Sequence, residues 1–263
     1  MSEPDANFLL MLADAADRET LPRFRSGGGV DNKLGPGAFD PVTEADRAAE
    51  TAIRALITDR FPDHGILGEE FGTVAGRGDG EGRQWVIDPI DGTRAFITGI
   101  PVWGTLIGHY VAGRGRLGIM SQPFTGERFY ADGTGAFLKR GDGEARPLLT
   151  RKVAQLRDAA LFTTSPRLFS VDLLGGFEAL ERTVRLTRFG TDCYAFAMLA
   201  AGHVDLVVES GLKPYDIAAL IPLIEQAGGL VTTLAGGRAE QGGDVIAAAT
   251  PELHAAAVAM LAG

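Results

Sequence analysis

The chain has 263 residues, enough for one large domain or two closely packed halves, and its 45% hydrophobic and 22% charged residues are typical of a folded globular protein. A formal net charge of −9 argues against nucleic acid or an anionic membrane surface as the main partner. The single cysteine, an N-terminus without a basic segment and the lack of an apolar run of about 18 residues predict a cytoplasmic protein.

The N-terminal part of the chain predicts two helices. Residues 4–18 carry apolar side chains at helical spacing, which indicates an amphipathic helix. A glycine-rich connection at 26–37 predicts either a hairpin or a mobile loop, and Lys33 within it either reaches a phosphate or is solvated. Thr43 followed by Asp46 is typical of a helix start, with Thr43 as N-cap and the helix running to about residue 60.

Two short strands are predicted to end in carboxylates. Ile66–Gly68 precedes Glu69 and a second glutamate, and residues 72–83 are rich in glycine and charge, which predicts an exposed excursion. Trp85–Ile87 predicts a buried strand that stops at Asp88, because Pro89 cannot continue a central ladder.

These strand ends predict a metal site. Sequential strands commonly pair, so Glu69 is expected near Asp88 and Asp91. Carboxylates that converge without a cation are costly to bury, and oxygen ligands suit Mg²⁺ or Mn²⁺. Gly92 would let a ligand approach the backbone, and Thr93 offers a hydroxyl and an N–H. The pattern therefore predicts a Mg²⁺-dependent phosphate site, with a capped turn bearing surface aspartates as the alternative.

The rest of the chain predicts an α/β layered fold. Arg94 opens a short helix, and four β-like segments at 105–110, 117–120, 128–131 and 135–139 form an antiparallel meander. Strands then alternate with helices, which favours layered packing. The predicted strands lie at 159–164, 184–189, 204–209, 230–233 and 245–249. The predicted helices lie at 170–183, 194–201, 214–226 and 251–261.

Several polar residues also have purely structural interpretations. Asp46 could serve as a helix cap, and Asp216 could complement a helix dipole. Asp192 could be an N-cap. The histidines, which lie far from the motifs in sequence, are expected to be surface or satisfied residues, and Cys193 a buried, unreactive thiol. They are His64, His109, His203 and His254.

Three motifs in fixed order carry a family resemblance. They are Gly68–Glu70, Asp88–Thr93 and Tyr215–Asp216, the last followed by Glu225–Gly229. The chain resembles the inositol monophosphatase family of Mg²⁺-dependent phosphatases from Asp46 to Gly229, and within it the histidinol-phosphate phosphatases. The resemblance implies a five-layer α-β-α-β-α sandwich over residues 1–263, with metal motifs in 1–150 and a substrate half in 151–263. It also implies a homodimer with two or three Mg²⁺ per site.

The resemblance also assigns roles. It implies metal binding by Glu69, Asp88, the carbonyl of Ile90, Asp91 and Asp216. Asp46 and Thr93 would orient the attacking water, with Glu69 as a further catalytic residue. Gly92 and Thr93 would donate backbone N–H groups to the phosphate.

The substrate is expected to be histidinol phosphate. Its ammonium and imidazole groups require carboxylates, and the resemblance places Asp192 and Glu209 around the leaving group, while Arg94 and Tyr215 depart from the inositol phosphatase pattern. The full substrate-binding set is Asp91, Gly92, Thr93, Arg94, Asp192, Glu209 and Asp216. Arg188 lies either in this pocket or on the surface. The alternatives are an inositol-1-phosphate or sugar-phosphate phosphatase, and a non-catalytic module that binds metal or phosphate.

Overall fold

The computed structural model describes residues 3–26, 30–32, 41–77 and 82–263, so Lys33 lies outside the described residues. The helices are α1 (Ala6–Thr20), α2 (Glu44–Arg60), α3 (Thr93–Ile97), α4 (Val171–Thr183), α5 (Asp192–Ala200), α6 (Pro214–Ile217), α7 (Leu220–Gln226) and α8 (Pro251–Leu261). Short 3₁₀ helices span Leu156–Asp158 and Pro166–Leu168. Within the described ranges, no helix is both long and apolar enough to span a bilayer.

Fifteen strands are found in the described residues. They are β1 (Val30–Asn32), β2 (Pro41–Thr43), β3 (Gly65–Gly68), β4 (Gly72–Val74), β5 (Gln84–Asp91), β6 (Gly104–Val111), β7 (Arg114–Gln122), β8 (Glu127–Ala131), β9 (Ala136–Arg140), β10 (Arg146–Pro147), β11 (Ala160–Thr163), β12 (Leu186–Phe189), β13 (Leu206–Leu212), β14 (Leu230–Thr233) and β15 (Gly243–Ala248). β1 and β2 pair antiparallel, and most of the glycine-rich connection predicted at 26–37 lies outside the described residues.

The first large sheet has eight strands in the order β10-β9-β8-β7-β6-β5-β3-β4. Its strands β6 to β9 form the antiparallel meander that the sequence predicts. β3 and β5 pair in parallel, which confirms the predicted pairing of the two strands that end in carboxylates. The start of the exposed excursion predicted for 72–83 is exposed but not irregular, because residues 72–74 form the edge strand β4.

The second sheet has five strands in the order β12-β11-β13-β15-β14. Helices α1 and α2 cover one face of the first sheet, where Leu12 and Ile53 contact the core. α5 and α7 lie between the two sheets, in a cluster to which Leu106, Leu199 and Val207 contribute. α4 and α8 cover the far face of the second sheet. The five-layer α-β-α-β-α sandwich is confirmed.

Helix α2 begins with a capping box. The Thr43 hydroxyl accepts the N–H of Ala45 at 3.1 Å and of Asp46 at 3.4 Å, and Oδ2 of Asp46 accepts the N–H of Thr43 at 2.8 Å. These contacts satisfy amides that have no partner within the helix. The predicted start at Thr43 and the predicted end near residue 60 are both confirmed.

Strand β5 does not stop at Asp88. Its parallel pairing with β3 ends at Ile87, but its antiparallel pairing with β6 continues to Asp91. Asp88 lies opposite Leu106 and Asp91 opposite Gly104, so β5 has one more residue than β6 between these pairs. This bulge accommodates Pro89, because a bulged residue leaves the ladder and needs no N–H donor. The predicted strand end at Asp88 was therefore wrong.

The helix predicted at 214–226 is divided into α6 and α7. The break at Ala218–Ala219 lies directly on the first sheet. A Cβ atom at Gly118 would lie 2.2 Å from the carbonyl oxygen of Ala219, and one at Gly108 would lie 2.9 Å from that of Ala218. Glycine at both positions lets the helix backbone contact the strand backbone, and this contact places α6 beside the end of β5.

Candidate active site

Three aspartates meet where β5 ends and α6 begins. Asp88 and Asp91 lie on either side of the bulge in β5, and Asp216 is the third residue of α6. One carboxylate oxygen from each lies within 4.8 Å of the other two. Asp88 is only 2% exposed. The structure thus brings together three of the residues that the sequence predicts as metal ligands.

The electrostatics of this cluster fit a cation. Burial, followed by the charge of Glu69, raises the pKa of Asp88 well above its usual range. Burial and the charge of Asp216 do the same to the pKa of Asp91. The pKa of Asp216 rises to about 6, chiefly through burial. Crowded, ionised carboxylates repel one another, and an all-oxygen donor set of this kind suits a divalent cation.

Each aspartate is oriented by a backbone amide. Oδ1 of Asp88 accepts the N–H of Ile90 at 3.1 Å. Oδ2 of Asp91 accepts the N–H of Cys193 at 2.8 Å, and Oδ2 of Asp216 accepts that of Lys213 at 2.7 Å. The hydrogen bond from Lys213 places the Asp216 carboxylate at the start of α6, so its structural role in the first turn of a helix also holds. Each carboxylate keeps lone pairs with which it could bind a cation.

Glu69 and Asp46 lie next to the cluster. The N–H of Glu69 donates to the carbonyl of Ile87 at 3.1 Å, which holds Glu69 beside β5. Asp46 is 1% exposed, and burial, reinforced by the charges of Glu70 and Glu69, raises its pKa to about 7. Its carboxylate accepts the hydroxyl of Thr43 at 2.6 Å. Asp46 therefore caps α2 and also borders the acidic cluster.

Thr93 contacts a backbone carbonyl of the same turn. Its hydroxyl donates to the carbonyl oxygen of Ile90 at 3.1 Å, so two of the predicted site residues contact each other. The contacts described for Asp46 and Thr93 give them different partners, Thr43 and Ile90. The sequence-based pairing of Asp46 with Thr93 stays a prediction.

Both the backbone conformation at position 92 and the close packing around it require glycine. Its φ of +80° lies in the left-handed region, and a Cβ atom there would lie 3.2 Å from Asp192 and from the Cα of Trp103. The predicted short helix is present as α3, which begins at Thr93, one residue before the predicted start at Arg94. The charge of Arg94 partly offsets the burial that raises the pKa of Asp192, so Arg94 and Asp192 interact across this turn.

An acidic cavity of about 30 Å³ adjoins the aspartates. Its lining residues are Asp91, Thr164, Asp192, Cys193, Phe196, Glu209, Leu212 and Asp216. Glu209 is 3% exposed, and burial raises its pKa to about 8. Its carboxylate accepts the N–H and the hydroxyl of Thr164 at 2.6 and 3.0 Å. No local pattern in the sequence marks Thr164, because this contact joins residues that are distant along the chain.

The structure revises two structural interpretations. Asp192 is not an N-cap, because Thr191 holds that position and Asp192 is the first residue of α5, with φ +43°. His109 is not exposed, since it is 2% exposed, and its Nε2 is not satisfied, because no hydrogen-bond partner for it lies among the described residues. Its ring packs 4.6 Å from that of Trp85, and burial lowers its pKa to about 3.

Two further residues follow one of their predicted alternatives. Cys193 is buried, as expected, and burial raises the pKa of its thiol well above the usual value. Arg188 is exposed, which agrees with the surface alternative.

Fold and site together define a phosphomonoesterase built as a five-layer sandwich, with an acidic cluster that could hold metal. Residues 2–262 match the sequence model of the inositol monophosphatase family, and the chain belongs to this family.

Individual relatives agree with this assignment. The chain is 42% identical over 227 residues to the bifunctional phosphatase IMPL2 of Arabidopsis thaliana, covering 86% of this chain and 63% of that protein, somewhat less than two thirds of its length. It is 36% identical over 250 residues to the histidinol-phosphatase of Mycobacterium tuberculosis, covering 94% of each. The structure of an inositol monophosphatase from Zymomonas mobilis matches with a TM-score of 0.84 at 39% identity, covering 97% of this chain and 96% of that one.

Proposed function

We propose that this phosphatase hydrolyses L-histidinol phosphate to L-histidinol and phosphate with Mg²⁺ as cofactor, a step of histidine biosynthesis. The observation that carries the proposal is the acidic cavity beside the three aspartates. Four carboxylates line it, those of Asp91, Asp192, Glu209 and Asp216.

The charge of this cavity favours a cationic leaving group. Histidinol carries an ammonium group and an imidazole, whereas inositol is a neutral polyol. A carboxylate held at high pKa in a buried site becomes easier to ionise when a cation binds beside it, and Glu209 is such a group. Asp192 and Glu209 both contact Thr164, at 3.5 and 3.0 Å, so the three form one connected wall of the cavity.

The metal ligands in this proposal are Asp88, Asp91, Asp216, Glu69 and the carbonyl of Ile90. When bound, Mg²⁺ would supply positive charge to the phosphate and lower the pKa of water. The protein itself positions the ligands, since backbone amides fix one oxygen each of Asp88, Asp91 and Asp216.

The remaining residues orient the water and the phosphate. Burial raises the pKa of Asp46 to about 7, which makes its carboxylate a stronger base than an exposed aspartate. We assign it, with Thr93, to the orientation of the attacking water. The N–H groups of Gly92 and Thr93 would donate to phosphate oxygens, because the first amides of α3 have no partner within the helix. Arg94 would lie at the edge of the substrate site, facing Asp192.

The relatives support two candidate substrates. The Mycobacterium tuberculosis histidinol-phosphatase matches along 94% of both chains, which supports histidinol phosphate. The Zymomonas mobilis inositol monophosphatase matches at slightly higher identity, which keeps inositol 1-phosphate as the second candidate. The cytoplasmic location and the homodimer stay predictions of the sequence.

Phosphate release with Mg²⁺ tests the proposal, using histidinol phosphate, inositol 1-phosphate and a nucleoside bisphosphate. We expect histidinol phosphate to give the highest kcat/KM. Asp192→Asn should lower kcat/KM for histidinol phosphate by about tenfold or more, because a charged partner in a low-dielectric site is lost, and should affect inositol 1-phosphate far less. Asp172→Asn, which changes an exposed aspartate on α4, is the matched control.

Two results would contradict the proposal in different ways. A preference for inositol 1-phosphate would overturn the substrate while leaving the phosphatase activity intact. Mg²⁺ binding without phosphate release from any of the three esters would favour the non-catalytic module.

A further inference from the structure

Glu50 is a buried carboxylate that lies one turn after Asp46 on α2. Its side chain is fully buried, and it accepts three hydrogen bonds. Oε2 accepts the N–H of Glu70 at 2.7 Å. Oε1 accepts the N–H of Phe71 at 3.2 Å and Nε of Arg54 at 2.7 Å. Burial of a charged group is tolerated when its partners are complete, and here they are two backbone amides and a guanidinium.

The two amides belong to the turn that carries Glu69. The N–H of Glu69 itself donates to Ile87 in β5, while the next two amides donate to Glu50 in α2. The backbone on either side of the Glu69 side chain is therefore attached to different elements. Arg54 extends this attachment, because it also donates to the carbonyl of Gly72.

The sequence of the turn agrees with this contact. A Cβ atom at Gly68 would lie 2.0 Å from Oε1 of Glu50 and 2.8 Å from a guanidinium nitrogen of Arg54. Only glycine lets the strand end come this close to the buried ion pair. The close approach of Gly68 to Glu50 therefore sets the position of the turn relative to α2.

We propose that Glu50 is a positioning residue that holds Glu69 in place as a ligand and thereby sets the affinity for the divalent cation. The inference rests on the proposed metal-dependent function. Glu50 acts through the backbone of the turn rather than by touching the cation or the substrate. Removing partners that orient metal ligands typically weakens metal affinity by about 10- to 100-fold.

The test is Glu50→Gln in the full chain, with calorimetric titration of Mg²⁺. The amide keeps the shape of the side chain but replaces one acceptor oxygen with a donor, which cannot accept the second backbone N–H. We expect the dissociation constant for Mg²⁺ to rise by about tenfold or more. The Mg²⁺ concentration for half-maximal phosphate release should rise in parallel, and turnover should recover at saturating Mg²⁺.

Asp17→Asn separates positioning from general destabilisation. Asp17 is a largely buried carboxylate paired with Arg128 at 2.6 Å, on the α1 side of the sheet. Its loss should lower the melting temperature and leave the Mg²⁺ affinity unchanged. If Glu50→Gln fails to fold, Gly68→Ala provides the same test, because its Cβ atom would push the carboxylate of Glu50 away from the turn while the charges of Glu50 and Arg54 remain.

A folded Glu50→Gln or Gly68→Ala protein with wild-type Mg²⁺ affinity would overturn the inference alone. A wild-type chain that binds no divalent cation would overturn the proposed function, and the inference with it. Calorimetry makes this distinction without any assumption about the substrate.

Discussion

Asp88 and Asp205 are both buried aspartates, but their surroundings have opposite electrostatic effects. Asp205 is fully buried, pairs with Arg151 and accepts the N–H of Ala160 at 2.7 Å. Asp88 instead faces the charges of Glu69, Asp91 and Asp216, which raise its pKa further after burial has done so. A paired buried carboxylate supports the fold, whereas a crowded one opposes it until a cation binds.

Asp88→Asn should therefore separate stability from activity. The asparagine oxygen can still accept the N–H of Ile90, so the local backbone should not change. With EDTA present, the variant should melt at a higher temperature than the wild type, because one repelling charge is gone. Phosphate release with Mg²⁺ should fall by about 100-fold or more, because a ligand charge is lost. Thermal unfolding and a phosphate assay measure the two effects.

Asp205→Asn is the matched control for that experiment. It removes an aspartate of similar burial whose charge is paired with Arg151, so it should lower the melting temperature in EDTA. Full Mg²⁺-dependent activity in Asp88→Asn would contradict its assignment as a metal ligand. A lower melting temperature of Asp88→Asn in EDTA would contradict the repulsion argument.

At the level of elements, the contact between the α6–α7 break and the first sheet positions Asp216. Gly118→Ala would place a Cβ atom 2.2 Å from the carbonyl of Ala219, so the helices or the strand must move. We expect the free energy of unfolding to fall by about 1–3 kcal/mol, the usual effect of overpacking. The Mg²⁺ affinity should fall as well, because α6 carries Asp216. Chemical denaturation and calorimetric titration measure these two quantities.

Gly175→Ala controls for the loss of a glycine as such. Gly175 lies within α4, and apart from its chain neighbours and the backbone of its own helix, no atom of the described residues lies within 4 Å of the position that its Cβ atom would take. Alanine there should stabilise the protein by about 0.5–1 kcal/mol, because glycine is unfavourable inside a helix. Equal effects of the two substitutions would show that the contact at Ala219 is unimportant.

Local patterns in the sequence predicted the elements that depend on local interactions. Thr43 and Asp46 lie three residues apart, so the start of α2 follows from their spacing alone. The strands of the meander follow from apolar segments and turns between neighbours. The pairing of β3 with β5 was predicted from the tendency of sequential strands to associate, although β4, which was not predicted, lies between them in the chain.

Features that depend on distant contacts were not predictable in this way. Pro89 indicates a strand end, and only the register with β6 shows that a bulge carries the strand on to Asp91. The break at Ala218–Ala219 depends on glycines a hundred residues earlier in the chain. Glu50 resembles any helical glutamate until the turn at Glu70 is seen to lie on it. These contacts are tertiary, and no local pattern encodes them.

On the scale of the whole molecule, the acidic cluster joins the two halves of the chain. Asp88 and Asp91 come from the first half, Asp216 comes from the second, and Oδ2 of Asp91 accepts the N–H of Cys193. A cation bound there would attach both halves to one centre. Because it binds the folded chain only, it should raise the stability of the whole structure, by about 2.7 kcal/mol at 100 times its dissociation constant.

The pH dependence of stability should therefore differ with and without Mg²⁺. The pKa values of Glu209, Asp46 and Asp216 rise to about 8, 7 and 6 in the folded chain, against values near 4 for unfolded carboxyls. Over this range the folded state binds more protons than the unfolded state, so stability without metal should increase as the pH falls. His109 has the opposite sign, since burial lowers its pKa to about 3, but its effect is small above about pH 7, where an unfolded histidine is mostly neutral.

Melting temperatures between about pH 8 and pH 7 report mainly on the carboxylates, because an unfolded histidine (pKa about 6.5) is mostly neutral there and an unfolded cysteine (pKa about 8.5) is mostly a thiol. In EDTA we expect the melting temperature to rise steadily as the pH is lowered through this window. With saturating Mg²⁺ the trend should flatten or reverse, because the cation keeps the carboxylates ionised and protons compete with it. Sodium chloride at matched ionic strength should leave the EDTA trend in place. If the melting temperature in EDTA instead decreases as the pH is lowered across this window, the carboxylates of the cluster do not repel one another as the metal site requires.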